Sequence, residues 1–177
     1  MIGTRLLPVA VNSSEFPENH GNTLTGGVGC IVMNCNPFTK GHLALITYAA
    51  RACDLLHIFV VEENRSQFPF ADRLRLVREG TDHLANVIVH PSGPYMISNA
   101  TFPTYFLKEG EDAAKIQSEL DITLFCSRIA PLLHIKKRFA GEEPFDPVTR
   151  NYNEAMSRIP PRYGISFIKI DRITTEG

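Results

Sequence analysis

The chain has 177 residues, of which 44% are hydrophobic and 21% charged, with a formal net charge of -1 at pH 7. A chain of this length can bury roughly 70% of the surface that its unfolded form exposes, so it can form one soluble domain without disulfides or a structural metal. The 18 basic and 19 acidic residues are nearly balanced, which argues against a nucleic-acid-binding protein. We therefore expect a small-molecule site.

Composition also bears on the compartment. No segment approaches the ~20 consecutive apolar residues that a membrane span needs. Pro8 interrupts the short apolar stretch near the N-terminus, which argues against a secretory signal. The four cysteines form no CxxC pair and lie mostly in apolar runs, which is typical of reduced thiols in a core. We expect a cytoplasmic protein without a membrane partner.

Residues 1–26 are rich in Pro, Asn, Ser, Thr and Gly without a sustained period, which predicts a linker or irregular segment. From residue 27 to residue 177, apolar runs of strand length alternate with helical patterns. The predicted strands are 28–33, 55–61, 86–92, 121–126 and 165–170, and the predicted helices are 41–53, 70–84, 111–119 and 147–158. This alternation predicts an α/β domain of Rossmann-like type, a five-stranded parallel sheet with helices on both faces. Such sheets bind ligands at the carboxyl ends of their strands.

The segment after the first predicted strand reads MNCNPFTKGHLALI over residues 33–46. Its Asn, Pro and Gly residues predict a turn, and Thr39 or Gly41 can begin the next helix. The free N–H groups of that helix would point back toward the strand ends, where they can bind an anion. His42 lies in the first turn and could reach a phosphate bound there. An ordinary strand-to-helix connection with a surface histidine fits the same residues.

The order N-P-F-T-x-G-H directly after a first strand resembles the T/HxGH signature of the nucleotidyltransferase superfamily, written here as Thr39-Lys40-Gly41-His42. Three further stretches, residues 62–77, 95–108 and 137–156, are similar to segments of citrate lyase ligase. The likeness runs from about Gly27 to the C-terminus. The chain is thus identified by resemblance as a member of the citrate lyase ligase family with a Rossmann-like nucleotidyltransferase fold of the HUP type.

The resemblance implies an AMP-forming ligase that activates acetate with ATP as acetyl-adenylate. It then implies acetylation of the thiol on the dephospho-coenzyme-A-type prosthetic group of the citrate lyase acyl-carrier subunit. Mg²⁺ would bridge phosphate oxygens without a dedicated protein site. Two alternatives stay open: an adenylyltransferase of the same superfamily acting on a nucleotide or on phosphopantetheine, and a non-catalytic ATP-binding fragment.

The resemblance also implies roles for particular residues. Thr39 and His42 are the catalytic pair, hydrogen-bonding phosphate oxygens as the α-phosphorus becomes pentacovalent. The residues implied to bind the nucleotide are Asn34, Asn36, Pro37, Phe38, Gly41, Arg65, Arg73, Gly141, Glu142, Glu143 and Thr149. Those expected on the acetate or carrier side are Ser98, Asn99, Thr101 and Tyr105.

Several charged residues also have simpler interpretations. Arg65 could bind a phosphate or pair with a neighbouring glutamate, and Arg75 is expected in a surface ion pair. The basic run over residues 136–138 is most simply a solvated edge, although it could attract a triphosphate or a phosphorylated carrier arm. The histidines at 57, 83, 90 and 134 lack metal-ligand spacing and are expected to be structural or exposed.

Two departures from the family pattern bear on completeness. Full-length members carry an additional N-terminal acetyltransferase-like domain, and the superfamily has an I-S-x-S-x-x-R segment after the fifth strand. Here about 26 residues precede the first predicted strand, and the chain ends at Gly177 before such a segment. We therefore expect a piece of a longer protein, truncated at its C-terminus. It is expected to bind nucleotide, and its activity alone is an open question.

Overall fold

A computed structural model describes residues 26–62, 66–93, 111–142 and 147–171 of the chain. Its strands are β1 (Val28–Met33), β2 (Leu55–Val60), β3 (Val87–Pro91), β4 (Ile135–Gly141) and β5 (Ser166–Ile170). Its helices are α1 (Lys40–Arg51), α2 (Phe70–Thr81), α3 (Glu111–Leu124), α4 (Ala130–Leu132) and α5 (Pro147–Arg158). One π-helical turn, Phe125–Ile129, joins α3 to α4. The predicted irregular segment lies outside the described residues except for Gly26.

The five strands are parallel and stand in the order β3-β2-β1-β4-β5. Helices α1 and α2 pack on one face, where Ile46 and Val77 join the strand residue Ile58 in one buried cluster. Helices α3 and α5 contribute Ile122 and Met156 to a second cluster on the opposite face. The predicted α/β architecture is confirmed. The direction of strand addition reverses between β1 and β4, which is the switch point where such sheets bind ligands.

The predicted strand over residues 121–126 is wrong, because this segment is helical. It spans the end of α3 and the start of the π-helical turn. Its buried residues are Ile122, Phe125 and Cys126, each at most 2% exposed. Their spacing of three and four residues is helical, and a six-residue apolar run does not distinguish a buried strand from one face of a helix.

The fourth strand is instead β4, which contains the basic run that sequence analysis interpreted as a solvated edge. Only Lys136 is exposed. The Lys137 ammonium donates to the backbone carbonyls of Gly26 and Ala52 at 2.8 and 2.9 Å. Two carbonyl acceptors thus offset the cost of taking the Lys137 charge out of water.

Arg138, the third basic residue of the run, is 3% exposed. Its guanidinium carbon lies 4.4 Å from the centre of the Phe125 ring, and its Nη2 donates to the hydroxyl of Tyr152. The Tyr152 hydroxyl donates in turn to Asp121 at 2.9 Å. The expected solvated edge is therefore wrong for Arg138, which ties β4 to α3 and α5 inside the core.

The cysteines are free and buried, as expected. Burial raises the pKa of the Cys30 and Cys35 thiols to about 12, so both are neutral at physiological pH. No described helix is both long and apolar enough to cross a bilayer.

Candidate functional site

The candidate site lies at the carboxyl edge of the sheet, beside the switch point. The turn between β1 and α1 forms one side, and the end of β4 forms the other. A side chain at Gly141 would stand 3.7 Å from the Leu45 side chain of α1, so the two sides are within van der Waals reach. The structure therefore brings the start of α1 beside the end of β4, although Leu45 and Gly141 lie about 100 residues apart in sequence.

Thr39 is the N-cap of α1 and forms a reciprocal capping box with His42. The His42 backbone N–H donates to Thr39 Oγ1 at 3.4 Å, and the Thr39 backbone N–H donates to His42 Nδ1 at 3.0 Å. Thr39 Oγ1 also lies 2.8 Å from Nδ1. Of the two helix starts that the sequence offered, Thr39 and Gly41, the structure uses Thr39. The two residues assigned to catalysis by resemblance are in direct contact.

The capping box fixes the hydrogen-bonding character of the imidazole. Because Nδ1 of His42 accepts the Thr39 N–H, a neutral ring carries its proton on Nε2. Burial lowers the pKa of His42 from its ordinary value of 6.5, which favours this neutral form. Lys40 and Gly41 belong to the first helical turn, where helix geometry offers backbone N–H groups no carbonyl acceptor. His42 Nε2–H and these amides are donors suited to an oxyanion.

Asn34 and Asn36 fasten this turn to the neighbouring loop that precedes α2. Asn36 Oδ1 accepts the Phe68 backbone N–H at 3.0 Å. Asn34 Oδ1 accepts from Arg73 Nη1 at 2.7 Å and from the Ser66 hydroxyl at 3.4 Å. Sequence analysis assigned both asparagines to the nucleotide, and the structure uses their side-chain oxygens to hold the turn.

Arg73 is fully buried at the start of α2. Its guanidinium donates to the backbone carbonyls of Asn34 at 2.6 Å, Val61 at 3.0 Å and Phe68 at 3.1 Å. It therefore joins the ends of β1 and β2 to the start of α2. Arg73 shares one face of α2 with Val77 and Thr81, and all three are buried.

Phe38 lies between the two helices that follow β1 and β2. Its ring centroid is 6.1 Å from that of His42, with an angle of 16° between the ring planes. Its opposite edge meets α2 at Gly80. Pro37 and Gly41 are exposed at the surface of the same turn.

On the β4 side, the Glu142 carboxylate pairs with the Lys169 ammonium of β5 at 3.1 Å, and both side chains are more than one-third exposed. Asn153 Nδ2 of α5 lies 3.4 Å from the Gly141 carbonyl. An exposed carboxylate with a second oxygen to offer can accept hydroxyl donors. Sequence analysis did not identify Lys169, whose place beside Glu142 depends on the pairing of β4 with β5.

Some assigned residues lie outside the described part of the chain. They are Arg65, Ser98, Asn99, Thr101, Tyr105 and Glu143. Thr149 lies on α5, and its side chain is also outside the description. Arg75 forms the expected surface ion pairs, with Asp72 at 3.4 Å and Glu79 at 3.2 Å. Within the described ranges, no group of three or more His, Cys, Asp or Glu could hold a metal ion.

Comparisons with known proteins agree with one another. The family model of the citrate lyase ligase C-terminal domain matches residues 28–177. The citrate (pro-3S)-lyase ligase of Escherichia coli K12 is 49% identical over 86% of this chain and 42% of its own length. The corresponding ligase of Klebsiella pneumoniae is 45% identical over 85% of this chain and 45% of its own.

A more distant relative is the phosphopantetheine adenylyltransferase of Streptococcus gordonii, 30% identical over 58% of this chain and 66% of its own length. Among solved structures, a bifunctional NMN adenylyltransferase/ADP ribose pyrophosphatase from Francisella tularensis superposes with a TM-score of 0.50 and 16% identity. That match covers 85% of this chain and 39% of the other. It shows that the two chains share a fold over the matched region. The chain spans less than half the length of the two ligases.

Proposed function

The chain belongs to the citrate lyase ligase family, and from this membership we propose that it carries the nucleotide-activating site of an AMP-forming ligase. The proposed substrates are ATP and acetate. The proposed acceptor is the thiol of the dephospho-coenzyme-A-type prosthetic group on the citrate lyase acyl-carrier subunit. The product would be the acetyl thioester of that subunit.

The observation that carries this proposal is the Thr39–His42 capping box at the switch point. It holds a neutral imidazole with its proton on Nε2, on the same helical turn as the amides of Lys40 and Gly41. Neutral and backbone donors in fixed positions stabilise developing negative charge without reorganising. They suit phosphoryl and nucleotidyl transfer, in which positioning and charge stabilisation supply most of the catalysis.

In the first proposed step, an acetate oxygen attacks the α-phosphorus of ATP, and the bond to the pyrophosphate oxygen breaks. Acetyl-adenylate and pyrophosphate are formed. The Nε2–H of His42 and the amides of Lys40 and Gly41 donate to the non-bridging oxygens of the pentacovalent phosphorus. Thr39 holds the ring through Nδ1. Arg73 acts through the turn, because its donors are directed to Asn34, Val61 and Phe68.

The opposite side of the crevice is proposed to hold the nucleoside. Glu142 would accept ribose hydroxyls through the oxygen that Lys169 does not use, and Gly141 leaves room beside Leu45. Arg65, which follows β2, is proposed to bind a phosphate, and Glu143 and Thr149 are proposed to contact the nucleotide. Mg²⁺ neutralises phosphate charge when bound, and it fits here as an ion held by phosphate oxygens and water, the oxygen ligands that it prefers.

In the second proposed step, the carrier thiolate attacks the acetyl carbonyl carbon, the carbon–oxygen bond to AMP breaks, and the thiol proton passes to solvent. Ser98, Asn99, Thr101 and Tyr105 are proposed to contact acetate or the carrier arm. Their polar groups would orient a small acid within an apolar wall.

Acetate-dependent exchange of pyrophosphate into ATP tests the first step. We expect exchange with acetate and Mg²⁺, reduced about 100-fold or more in His42→Ala, because one lost oxyanion donor costs 10²–10³ in rate. His83→Ala is the matched control, since His83 is an exposed histidine away from the turn. Exchange that is independent of acetate, or unchanged in His42→Ala, would contradict the proposal.

The same assay separates the second candidate function, transfer of the adenylyl group to phosphopantetheine. The 30% identity to an adenylyltransferase named for that substrate favours it as the alternative. In that case pyrophosphate release would depend on phosphopantetheine and not on acetate. Binding of ATP measured by calorimetry, with no release under either condition, would indicate a non-catalytic ATP-binding fragment.

A further inference from the structure

Gly80, near the end of α2, lies against Phe38 of the turn that carries His42. A Cβ atom placed on Gly80 would stand 2.4 Å from Cε1, 3.2 Å from Cζ and 3.3 Å from Cδ1 of Phe38. Carbon atoms in favourable contact stand about 3.5–4.0 Å apart. The Phe38 ring therefore occupies the space that any other residue at position 80 would fill.

The Phe38 ring also lies beside the imidazole of the catalytic pair. The ring is nearly parallel to the imidazole of His42, with 16° between their planes and 6.1 Å between their centroids. Thr39 holds one edge of the imidazole through Nδ1. Phe38 lies beside a face of the same ring, so its placement bears on how far the imidazole is covered from water and how far it can tilt.

We propose that Gly80 is a positioning residue for the nucleotidyl-transfer step, acting through Phe38 on His42. Its missing side chain lets the Phe38 ring reach the position from which it supports the imidazole. Thr39 alone restrains His42 at one edge and leaves rotation about that hydrogen bond possible. This inference deepens the proposed function and rests on it for the catalytic consequence, whereas the contact between Gly80, Phe38 and His42 does not depend on it.

Gly80→Ala tests the inference in two independent ways. The added methyl pushes the Phe38 ring by roughly 1 Å. This displacement exposes His42 to water, so its pKa, followed by NMR titration of the imidazole protons, should rise toward 6.5. In pyrophosphate exchange, kcat should fall roughly tenfold or more, with the KM for ATP within about twofold, because misplacing a catalytic group by 1 Å can cost up to 100-fold.

Glu79→Ala is the matched control, since Glu79 is an exposed residue on the same helix that faces Arg75 and not the turn. It should leave both the titration of His42 and kcat unchanged. Phe38→Ala adds no atom and removes the ring, so it should raise the His42 pKa even if Gly80→Ala folds poorly.

The double variant Gly80→Ala with Phe38→Ala decides whether Gly80 acts through Phe38. If it does, adding Gly80→Ala to Phe38→Ala changes the His42 titration and kcat no further. The effects of the two substitutions are then strongly non-additive. Additive effects, or an unchanged His42 titration in both single variants, would overturn the inference. A shifted titration in a protein that shows no exchange at all would instead remove the proposed function and leave the contact intact.

Discussion

At the scale of single residues, the most informative contact is the one between Thr39 and His42. Resemblance alone names both as catalytic, but the geometry explains how a histidine can serve without being charged. Nδ1 accepts from the Thr39 backbone, and burial lowers the pKa of the ring, so the neutral imidazole is the form that the fold maintains. A neutral donor attracts the anionic phosphate of the bound substrate less strongly than a charged imidazolium would. More of the stabilisation that it gives is therefore left for the transition state.

This geometry predicts a pH dependence. The folded-state pKa of His42 lies below 6.5, so the neutral imidazole and its capping bond predominate above pH 6.5. As the pH falls through the folded-state pKa, Nδ1 gains a proton and can no longer accept the Thr39 N–H. We expect pyrophosphate exchange to be level between pH 7 and pH 8 and to fall on acidification, together with titration of His42 by NMR. A rate that rises as His42 becomes charged would show that imidazolium is the working form.

At the scale of elements, two loops at the carboxyl edge are held together by one side chain. Arg73 on α2 reaches the carbonyls that end β1 and β2, and Asn34 and Asn36 contribute side-chain oxygens to the same junction. A buried guanidinium is costly unless its donors are satisfied, so this arrangement commits both loops to one geometry. Helix α2 thus supports the candidate site, and Arg73 is the one residue of this helix that the resemblance implies to bind the nucleotide.

Substituting Arg73 should therefore destabilise the fold itself. Arg73→Lys keeps the positive charge. In the parent protein the acceptors bind several N–H donors of a planar guanidinium, whereas in the variant they face a single ammonium group. We expect unfolding to become easier by about 3 kcal/mol in urea denaturation, because buried polar groups lose their partners. Arg75→Lys, two residues away on the same helix and exposed, should leave the urea midpoint unchanged. Equal effects of the two substitutions would show that burial of the guanidinium contributes nothing.

The pairing of β2 with β3 brings His57 and His90 together, with His57 Nδ1 2.8 Å from His90 Nε2. Burial lowers the pKa of both rings, the charge of His90 lowers that of His57 further, and Arg78 lowers that of His90. Both folded-state pKa values lie below 6.5, so the unfolded chain binds more protons below that pH and stability falls with acidification.

We expect the free energy of unfolding to decrease as the pH drops from 7 to 5, and His90→Gln to flatten that decrease. Chemical denaturation at a series of pH values measures it. His83→Gln, at an exposed position, should keep the slope of the parent protein. If His90→Gln left the slope unchanged, the pair would not be responsible for acid sensitivity.

At the scale of the whole molecule, the amino and carboxyl ends of the parallel strands have different roles. Lys136 stands at the amino end of β4, far from the carboxyl edge where the turn and Glu142 meet. The interpretation of the basic run as a triphosphate site is therefore unfavourable, since Arg138 is buried and Lys137 is bound to carbonyls. At the carboxyl ends of the described strands, the available cations include the exposed Lys40 in the first turn of α1 and Lys169 beside Glu142.

This difference between the two ends of the strands predicts which surface lysine contributes to ATP binding. A ligand that binds only the folded chain stabilises it, by about 2.7 kcal/mol at 100 times its dissociation constant. We expect Mg²⁺-ATP to raise the melting temperature of the parent chain and of Lys136→Gln equally. Lys169→Gln should show a smaller rise. If Mg²⁺-ATP no longer raised the melting temperature of Lys136→Gln, residues 136–138 would belong to the ATP site after all.

Sequence alone predicted most of the fold, because the signals that it used are local. The β1 turn, the helices over residues 70–81 and 147–158, and the strands β1, β2, β3 and β5 each follow from apolar period and turn chemistry within about 15 residues. The fourth strand was missed for the opposite reason. Its charges make β4 look solvated, whereas Phe125 and Tyr152, which pack around Arg138, come from other elements.

The same division holds for the site. The order of residues predicted a helix beginning at Thr39 or Gly41 with His42 in its first turn, because the signals for a helix start lie within a few residues of each other. Only the tertiary structure decided that Arg73 is buried, that Glu142 meets Lys169, and that Gly80 admits Phe38 beside His42. These contacts join helices and strands that are distant in sequence. They depend on strand order and helix packing, which no local pattern encodes.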